Sequence, residues 1–94
     1  MPYYTYITTN KNKTVLYTGV TNNLPERLKE HEEDANGPKK HFAGKYNACH
    51  LIYYETFKYI DNAILREKEI KKWSRKKKEA LINTLNPNWK FLQL

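Results

Sequence analysis

The sequence predicts an α+β fold in which a small three-stranded antiparallel sheet is flanked by about three helices. Two β-branched and aromatic segments separated by a polar turn lie near the N-terminus, and a third such segment lies near the middle. The second half shows apolar residues at helical spacing. The length of 94 residues corresponds to one domain, so residues 1–94 are expected to form a single folded unit.

The first two strands are predicted over residues 3–9 and 14–20, joined by an asparagine-rich hairpin turn. If the turn centres on Lys11 and Asn12, the numbers of paired residues sum to 23, and Tyr6 lies directly opposite Tyr17. Both phenol rings then lie on one face of the sheet. Their alternative role is that of an ordinary cross-strand aromatic pair.

The first helix is predicted from about residue 23 to 34. Polar residues at 21–23 are suitable N-caps, and Pro25 suits the first turn. Arg27 and His31 are four residues apart, so they project from the same side of this helix. His31 could relay a proton there, or it could fill the apolar stripe as a core histidine.

A basic, loop-like segment at residues 37–48 leads into a third strand over residues 50–56. Three strands are the minimum for an independently stable sheet. At the other end of the chain, residues 86–89 follow the last helix and are expected to dock as a tail, because Pro87 prevents the helix from continuing.

Two more helices are predicted in the second half. Asp61 or Asn62 can cap the second helix, which runs to about Trp73. Ser74 can cap a third helix over residues 75–84.

Positive charge is concentrated in the second half of the chain. The whole sequence has 17 basic and 10 acidic residues, net +7, but residues 1–34 alone are net −1 and residues 35–94 net +8. A dense basic run occupies eight positions and favours a polyanionic partner, the alternative being a solvated helix face. This run consists of Lys71, Lys72, Trp73, Ser74, Arg75, Lys76, Lys77 and Lys78.

Several classes of protein are disfavoured. The single Cys49 excludes an internal disulfide and fits a reducing compartment. Because there is no targeting signal or long apolar stretch, a cytoplasmic protein without a membrane partner is expected. The spacing of His31, His41 and His50 is not that of a zinc site, and no phosphate loop, serine triad or redox cysteine pair predicts a small-molecule cofactor.

Glu67 lies on the apolar side of the predicted second helix. A carboxylate there needs a cation, because burying an unpaired charge costs several kcal/mol. One interpretation is an ion pair with Arg27, Lys45 or Lys71, or an edge position where the side chain reaches water. The other is a weak divalent-metal site, in which Mg²⁺ completes its coordination shell with waters and a substrate phosphate.

The order of these features resembles the GIY-YIG nuclease family over nearly the whole chain. The two motifs correspond to residues 4–6 (Tyr-Thr-Tyr) and 17–19 (Tyr-Thr-Gly), with their tyrosines eleven residues apart. Arg27 and His31 follow on a helix, and Glu67 lies on a later one. Both motifs depart from the family pattern at supporting positions, where Gly and Ile are replaced, and keep the tyrosines.

The resemblance implies a metal-dependent phosphodiesterase site on the sheet face. By this resemblance, Tyr6 and Tyr17 line the side of the attacking water, and either could be the base, with His31 as a proton relay. The same resemblance implies that Arg27 would hold the scissile phosphate and that Glu67 would bind Mg²⁺ or Mn²⁺.

The resemblance also assigns supporting residues. Gly19 is expected to be structural and to allow close backbone approach. The asparagine that often follows the metal-binding glutamate corresponds to Asn86, with Asn83 as a second candidate. Small stand-alone bacterial members are similar through residues 67–78 and 86–89.

The function expected is hydrolysis of phosphodiester bonds in nucleic acid, DNA being favoured over RNA, in repair or turnover. The basic run would contact the backbone, and Trp73 or a tyrosine would contact unstacked bases. One alternative is a nucleic-acid binding module with negligible catalysis. Another is a protein-interaction module that uses the acidic residues 30–34.

Overall fold

The computed structural model describes residues 2–36 and 47–93. Its strands are β1 (Tyr3–Thr9), β2 (Leu16–Thr21) and β3 (His50–Phe57). They form one antiparallel sheet in the order β2-β1-β3, so β1 is central and β2 lies at an edge. The predicted α+β class with a three-stranded antiparallel sheet is confirmed.

In the described residues the helices are α1 (Leu24–Asn36), α2 (Ile60–Lys71) and α3 (Arg75–Leu85). The predicted cap of α3 is confirmed, because the Ser74 side chain accepts a hydrogen bond from the backbone N–H of Lys77.

The predicted cap of α2 at Asp61 or Asn62 is wrong. Tyr59 occupies the N-cap position in an extended conformation, without a side-chain cap, and the helix begins at Ile60. Only Lys58 and Tyr59 separate this helix from β3. Because the connection is this short, the helix begins at Ile60, before Asp61 and Asn62. Asp61 lies in the first turn, where its negative charge interacts favourably with the helix dipole.

The predicted register of the hairpin is also wrong. Tyr6 lies opposite Gly19, and Tyr17 lies opposite Thr8, so paired residue numbers sum to 25 instead of 23. This shift of two residues preserves the side-chain alternation. Tyr6 and Tyr17 therefore still share a face, but as diagonal neighbours.

The hairpin loop explains the shift. The side-chain oxygen Oδ1 of Asn10 accepts hydrogen bonds from the backbone N–H groups of Thr14 and Val15, at 2.8 and 3.1 Å. Lys13 takes a left-handed conformation with φ of 59°. These contacts organise a six-residue loop, residues 10–15, in place of a two-residue turn.

The two faces of the sheet are packed differently. Adjacent residues of β1 alternate, so Tyr6 points toward α1 and Ile7 toward α2 and α3. The α1 face holds the smaller buried cluster, composed of Tyr6, Leu24 and Leu51. The opposite face holds the larger one, composed of Ile7, Ile52, Tyr53, Ile70 and Ile82.

A bulge in β3 connects the sheet to the end of the chain. Ile52 is the extra residue opposite the step from Ile7 to Thr8. Its carbonyl accepts a hydrogen bond of 2.9 Å from Nδ2 of Asn86, which is 6% exposed. The same amide bonds both backbone groups of Lys90.

The predicted docking of residues 86–89 is confirmed. Trp89 packs against the larger cluster, and its indole N–H donates to the Asn83 side chain at 2.7 Å. Farther along, the backbone N–H of Leu92 donates to the carbonyl of Leu51. Most of the predicted loop at 37–48 lies outside the described residues.

Candidate active site

A buried tyrosine and a buried histidine are hydrogen-bonded on the α1 face of the sheet. Tyr6 is 1% exposed and His31 is 8% exposed. The hydroxyl Oη of Tyr6 lies 2.9 Å from Nε2 of His31. The contact arises because α1 packs on this face through Leu24 and Leu28, and His31 is one turn farther along the same side.

Tyr17 completes an aromatic group with these two residues. Its ring centroid is 5.2 Å from that of His31, in an edge-to-face arrangement, and 6.3 Å from that of Tyr6. The sequence predicted that the two tyrosines share a face, and the ring contacts place them together. The group therefore combines two phenols and an imidazole within contact distance.

Gly19 makes this arrangement possible. It lies directly opposite Tyr6, and the phenol ring crosses over it. A Cβ atom at this position would lie 2.6 Å from Cζ of Tyr6 and closer still to the hydroxyl. The space above Gly19 is therefore already occupied by the ring, which is the close approach that only glycine permits.

Charged residues from two helices act on the Tyr6 phenol. Burial is the main reason why the pKa of Tyr6 is raised above its usual value, and Tyr17 raises this pKa further. The Arg27 guanidinium lowers the pKa, whereas Glu67 and Glu30 raise it. Arg27 from α1 and Glu67 from α2 thus both lie within electrostatic range of Tyr6.

Arg27 is accessible to a ligand. Its side chain is 41% exposed, and it forms an ion pair with Glu30, with 3.7 Å between Nε and the carboxylate. An exposed pair of this kind contributes little to stability. A guanidinium held this loosely is available to bind another anion such as a phosphate.

Glu67 is half-buried, with 20% of its side chain exposed. Of its three predicted cation partners, the structure identifies Lys71, whose Nζ lies 3.5 Å from the carboxylate. Lys45 lies outside the described residues. The ion pair is a local contact one helical turn along α2.

The donor set at Glu67 fits a hard divalent cation. No group of three or more His, Cys, Asp or Glu side chains converges as a metal cluster in the part of the chain that the structure describes. A single carboxylate is the ligand set for Mg²⁺ or Mn²⁺ that keeps its waters and gains a substrate phosphate oxygen. It does not suit zinc, which prefers several nitrogen or sulfur ligands.

Asn86 has a structural position. Both polar atoms of its side chain are used in hydrogen bonds, to the bulge of β3 and to Lys90. Asn83 is exposed and bonds Trp89. Neither asparagine is hydrogen-bonded to Tyr6 through these contacts. They therefore do not support the correspondence of Asn86 to the family's site asparagine.

Arg75 from the basic run clamps the hairpin loop. Its guanidinium donates to the backbone carbonyls of Thr14 and Lys13, at 2.7 and 2.9 Å, and also to Glu79. These bonds span more than sixty residues of sequence. They stabilise the fold, so Arg75 is less available to a nucleic acid than its neighbours.

Trp73 lies between two cations. Nζ of Lys77 is 4.3 Å from the ring centroid, and the guanidinium carbon of Arg66 is 5.1 Å from it. Trp73 also packs against the larger cluster. Lys72 and Lys76 are exposed, and Lys78 is half-buried.

The sequence did not identify every residue of this region. Glu30 raises the pKa of the Tyr6 phenol and forms an ion pair with Arg27, three residues earlier in the chain. The three-residue spacing of these opposite charges could have identified Glu30. Leu16 and Thr18 of β2 line a groove with Lys71 and Lys78. No local pattern could have revealed that groove, because it forms between distant elements.

The chain belongs to the GIY-YIG family: the family model described as "GIY-YIG catalytic domain" matches residues 2–80. This membership is shown by the match and agrees with the fold and with the two tyrosine motifs. The domain has a nuclease-type fold, and nucleases of this family generally use divalent metal ions.

Small proteins of the same size are similar to this chain. A UPF0213 protein of Natronomonas pharaonis is 39% identical over 80 residues, covering 85% of this chain and 89% of that protein. One from Clostridium perfringens is 38% identical over 81 residues, covering 86% and 83%. The solution NMR structure of a UPF0213 protein from Bacillus halodurans superposes with a TM-score of 0.58 at 28% identity, covering 95% of this chain and 90% of that one.

None of the helices among the described residues is both long and apolar enough to cross a membrane.

Proposed function

We propose that this protein is a metal-dependent endonuclease that hydrolyses phosphodiester bonds in DNA, in repair or turnover within the cytoplasm. One observation carries the proposal: the hydrogen bond between Tyr6 and His31, in contact with Tyr17 and within electrostatic range of Arg27 and Glu67. The candidate base, phosphate-binding cation and metal ligand come from three elements of the fold: Tyr6 from β1, Arg27 from α1 and Glu67 from α2.

The raised pKa of Tyr6 supports a relay in which no free phenolate accumulates. As the attacking water loses a proton to the Tyr6 oxygen, the phenol passes its own proton to Nε2 of His31. This direction requires the histidine tautomer that carries its proton on Nδ1. Tyr17 is the other candidate for the base, because its ring also contacts His31.

Arg27 would bind the scissile phosphate. Its exposed guanidinium can donate two parallel hydrogen bonds to phosphate oxygens. Negative charge on these oxygens grows as the water attacks, so a fixed cation stabilises the transition state more than the ground state. Arg27 also lowers the pKa of Tyr6, which eases transfer of the proton.

Glu67 would hold Mg²⁺ or Mn²⁺ through its carboxylate, and the bound ion would supply charge neutralisation at the phosphate. Lys71 would then exchange its contact with Glu67 for one with the substrate. The negative charge of Glu67 would thus face a cation in both states, namely Lys71 before the metal binds and the metal afterwards.

The test compares cleavage of labelled single-stranded, duplex and branched DNA and of RNA, in Mg²⁺, Mn²⁺ or EDTA. Glu67→Gln should lower the single-turnover rate about 100-fold or more, because it removes a group that stabilises transition-state charge. Glu69→Gln is the matched control, since Glu69 lies on the same helix and pairs with Arg66. DNA should be cleaved faster than RNA.

Tyr6→Phe and Tyr17→Phe identify the base, since each removes one hydroxyl and keeps the ring. Undiminished rates in both variants would remove tyrosine from the mechanism. Cleavage that survives EDTA and Glu67→Gln unchanged would refute the metal-dependent scheme as a whole.

The ion pair between Glu67 and Lys71 favours a second candidate, a nucleic-acid binding module with negligible catalysis. In that case Lys71 already balances the charge of the Glu67 carboxylate, and no metal is needed. Such a protein would bind DNA with steep salt dependence, would cleave no substrate, and would be unaffected by Glu67→Ala.

A further inference from the structure

A buried hydrogen bond joins the strand that contains Tyr6 to the helix that contains Glu67. The hydroxyl of Thr5 donates to the backbone carbonyl of Ala63 at 2.7 Å, across 58 positions of sequence. Thr5, which precedes Tyr6 on β1, and Ala63 on α2 are both 0% exposed. Within the described ranges, this is the one side-chain hydrogen bond that joins β1 to α2.

The carbonyl of Ala63 also belongs to the helical turn that leads to Glu67. In an α-helix each carbonyl accepts a hydrogen bond from the backbone N–H four residues later, so the Ala63 carbonyl is the acceptor for Glu67. A carbonyl oxygen has two lone pairs, and the second one accepts the Thr5 hydroxyl. The side chain of Thr5 and the backbone of Glu67 are therefore bonded to the same oxygen atom.

Apolar packing also holds α2 against β1, through Ile7 and Ile70 of the larger cluster. Such contacts are non-directional, and alone they would leave the helix free to slide and rotate on the sheet. A hydrogen bond restricts both a distance and an angle. Thr5 stands where the family pattern has Ile, which has no hydroxyl, so this restraint belongs to the chain and not to the pattern.

We propose that Thr5 is a positioning residue, whose hydroxyl holds α2 so that the Glu67 carboxylate keeps a fixed place relative to Tyr6. The proposal rests on the function proposed above and adds a residue to it. Since Thr5 is fully buried, it acts through Glu67 and does not contact the substrate. The electrostatic effect of Glu67 on the Tyr6 phenol agrees with this placement.

Three variants separate positioning from stability. Thr5→Val removes the hydroxyl and keeps the branched shape, whereas Thr5→Ser keeps the hydroxyl. Thr9→Val is the matched control, because Thr9 is also 0% exposed on β1 and its hydroxyl donates at 2.7 Å to the carbonyl of Val15 in the hairpin loop. We expect the two valine variants to lower the urea midpoint to a similar extent, since each removes one hydrogen bond of a buried side chain.

The first readout is Mn²⁺ affinity, measured from the EPR signal of the free ion in the presence of thymidine monophosphate. This probe supplies a phosphate but no phosphodiester bond to cut. Thr5→Val should weaken Mn²⁺ binding about 10-fold, as the loss of a group that orients a metal ligand does. Thr5→Ser and Thr9→Val should stay close to the wild type. Equal affinity in Thr5→Val and the wild type, or an equal loss in Thr9→Val, would overturn the proposal.

The second readout is single-turnover cleavage. Thr5→Val should lower the rate about 10-fold or more, because a small misplacement of a catalytic group is costly, and Thr5→Ser should restore it. In a Glu67→Gln background, Thr5→Val should cause no further loss of rate. A full additional loss in that background would show that Thr5 does not act through Glu67.

The two proposals fail in different ways. Metal-dependent cleavage that Thr5→Val leaves unchanged would refute the positioning role and leave the nuclease proposal intact. Mn²⁺ affinity that depends on the Thr5 hydroxyl, without cleavage of any substrate, would support the positioning role and refute the nuclease proposal. A wild-type protein that binds no Mn²⁺ would refute both.

Discussion

The two faces of the sheet differ in the kind of side chain that they bury. On the α2 and α3 face, the buried side chains of the larger cluster are isoleucines and one tyrosine. On the α1 face, a tyrosine and a histidine are buried together, with charged residues within electrostatic range. Adjacent residues of one strand, Tyr6 and Ile7, belong to the two different faces.

The difference shows how a small domain can bury a hydrogen-bonded tyrosine and histidine on one face of its sheet. The isoleucine face supplies the apolar burial that stabilises the fold. That stability allows the other face to hold polar groups in a partly desolvated position, where each electrostatic contact is stronger than in water. On that face, Gly19 leaves the space that the Tyr6 ring occupies.

The largest effect on stability is expected on the isoleucine face. Ile70 is fully buried, so Ile70→Ala should lower the free energy of unfolding by about 2–5 kcal/mol through lost burial and the cavity left behind. Leu65→Ala is the control on the same helix, since Leu65 is 64% exposed. Urea denaturation followed by tryptophan fluorescence measures both. Similar losses in the two variants would contradict this view of the core.

A smaller effect is expected on the α1 face. Gly19→Ala should cost about 1–3 kcal/mol of unfolding free energy, because the added methyl group displaces the Tyr6 ring. In a Tyr6→Ala background the same substitution should cost much less, and in a Tyr4→Ala background it should cost its full amount. A double-mutant cycle by urea denaturation measures this coupling. Additive costs would show that the ring is not the obstacle.

The smallest effect concerns pH. Burial raises the pKa of both Tyr6 and Tyr53, one phenol on each face. Since the folded-state pKa lies above the unfolded value of about 10, this stabilisation is complete below about pH 10 and is lost as pH rises through the folded pKa. Phenolate absorbance should therefore show two late-titrating groups.

The same titration can separate the faces. Tyr6→Phe and Tyr53→Phe should each remove one late-titrating group. Glu67→Gln should move only the Tyr6 titration to lower pH, since the Glu67 carboxylate raises the pKa of Tyr6 and does not contribute at Tyr53. A shift of both phenols, or of neither, would show that Glu67 does not act on the α1 face.

Much of the site followed from local pattern. Alternation along a strand predicted the shared face of Tyr6 and Tyr17, which the observed register and the ring contact confirm. The adjacency of Arg27 and His31, predicted from their four-residue spacing on α1, stays a prediction. Errors arose where geometry depended on contacts beyond the local pattern. The asparagine-capped hairpin loop shifted the register by two residues, and the short connection to α2 moved its first residue ahead of the predicted cap.

The sequence by itself determined the class of fold, the extents of the strands and helices to within a few residues, and which reactive residue types would lie on a common face. Periodicity and capping are local properties, so one segment at a time contains that information. Only the tertiary structure decided that Asn86 supports a bulge, that Arg75 clamps a hairpin more than sixty residues away, and that Lys71 and Lys78 meet β2 in a groove. Such contacts join distant parts of the chain, and their geometry exists only after the helices have packed against the sheet.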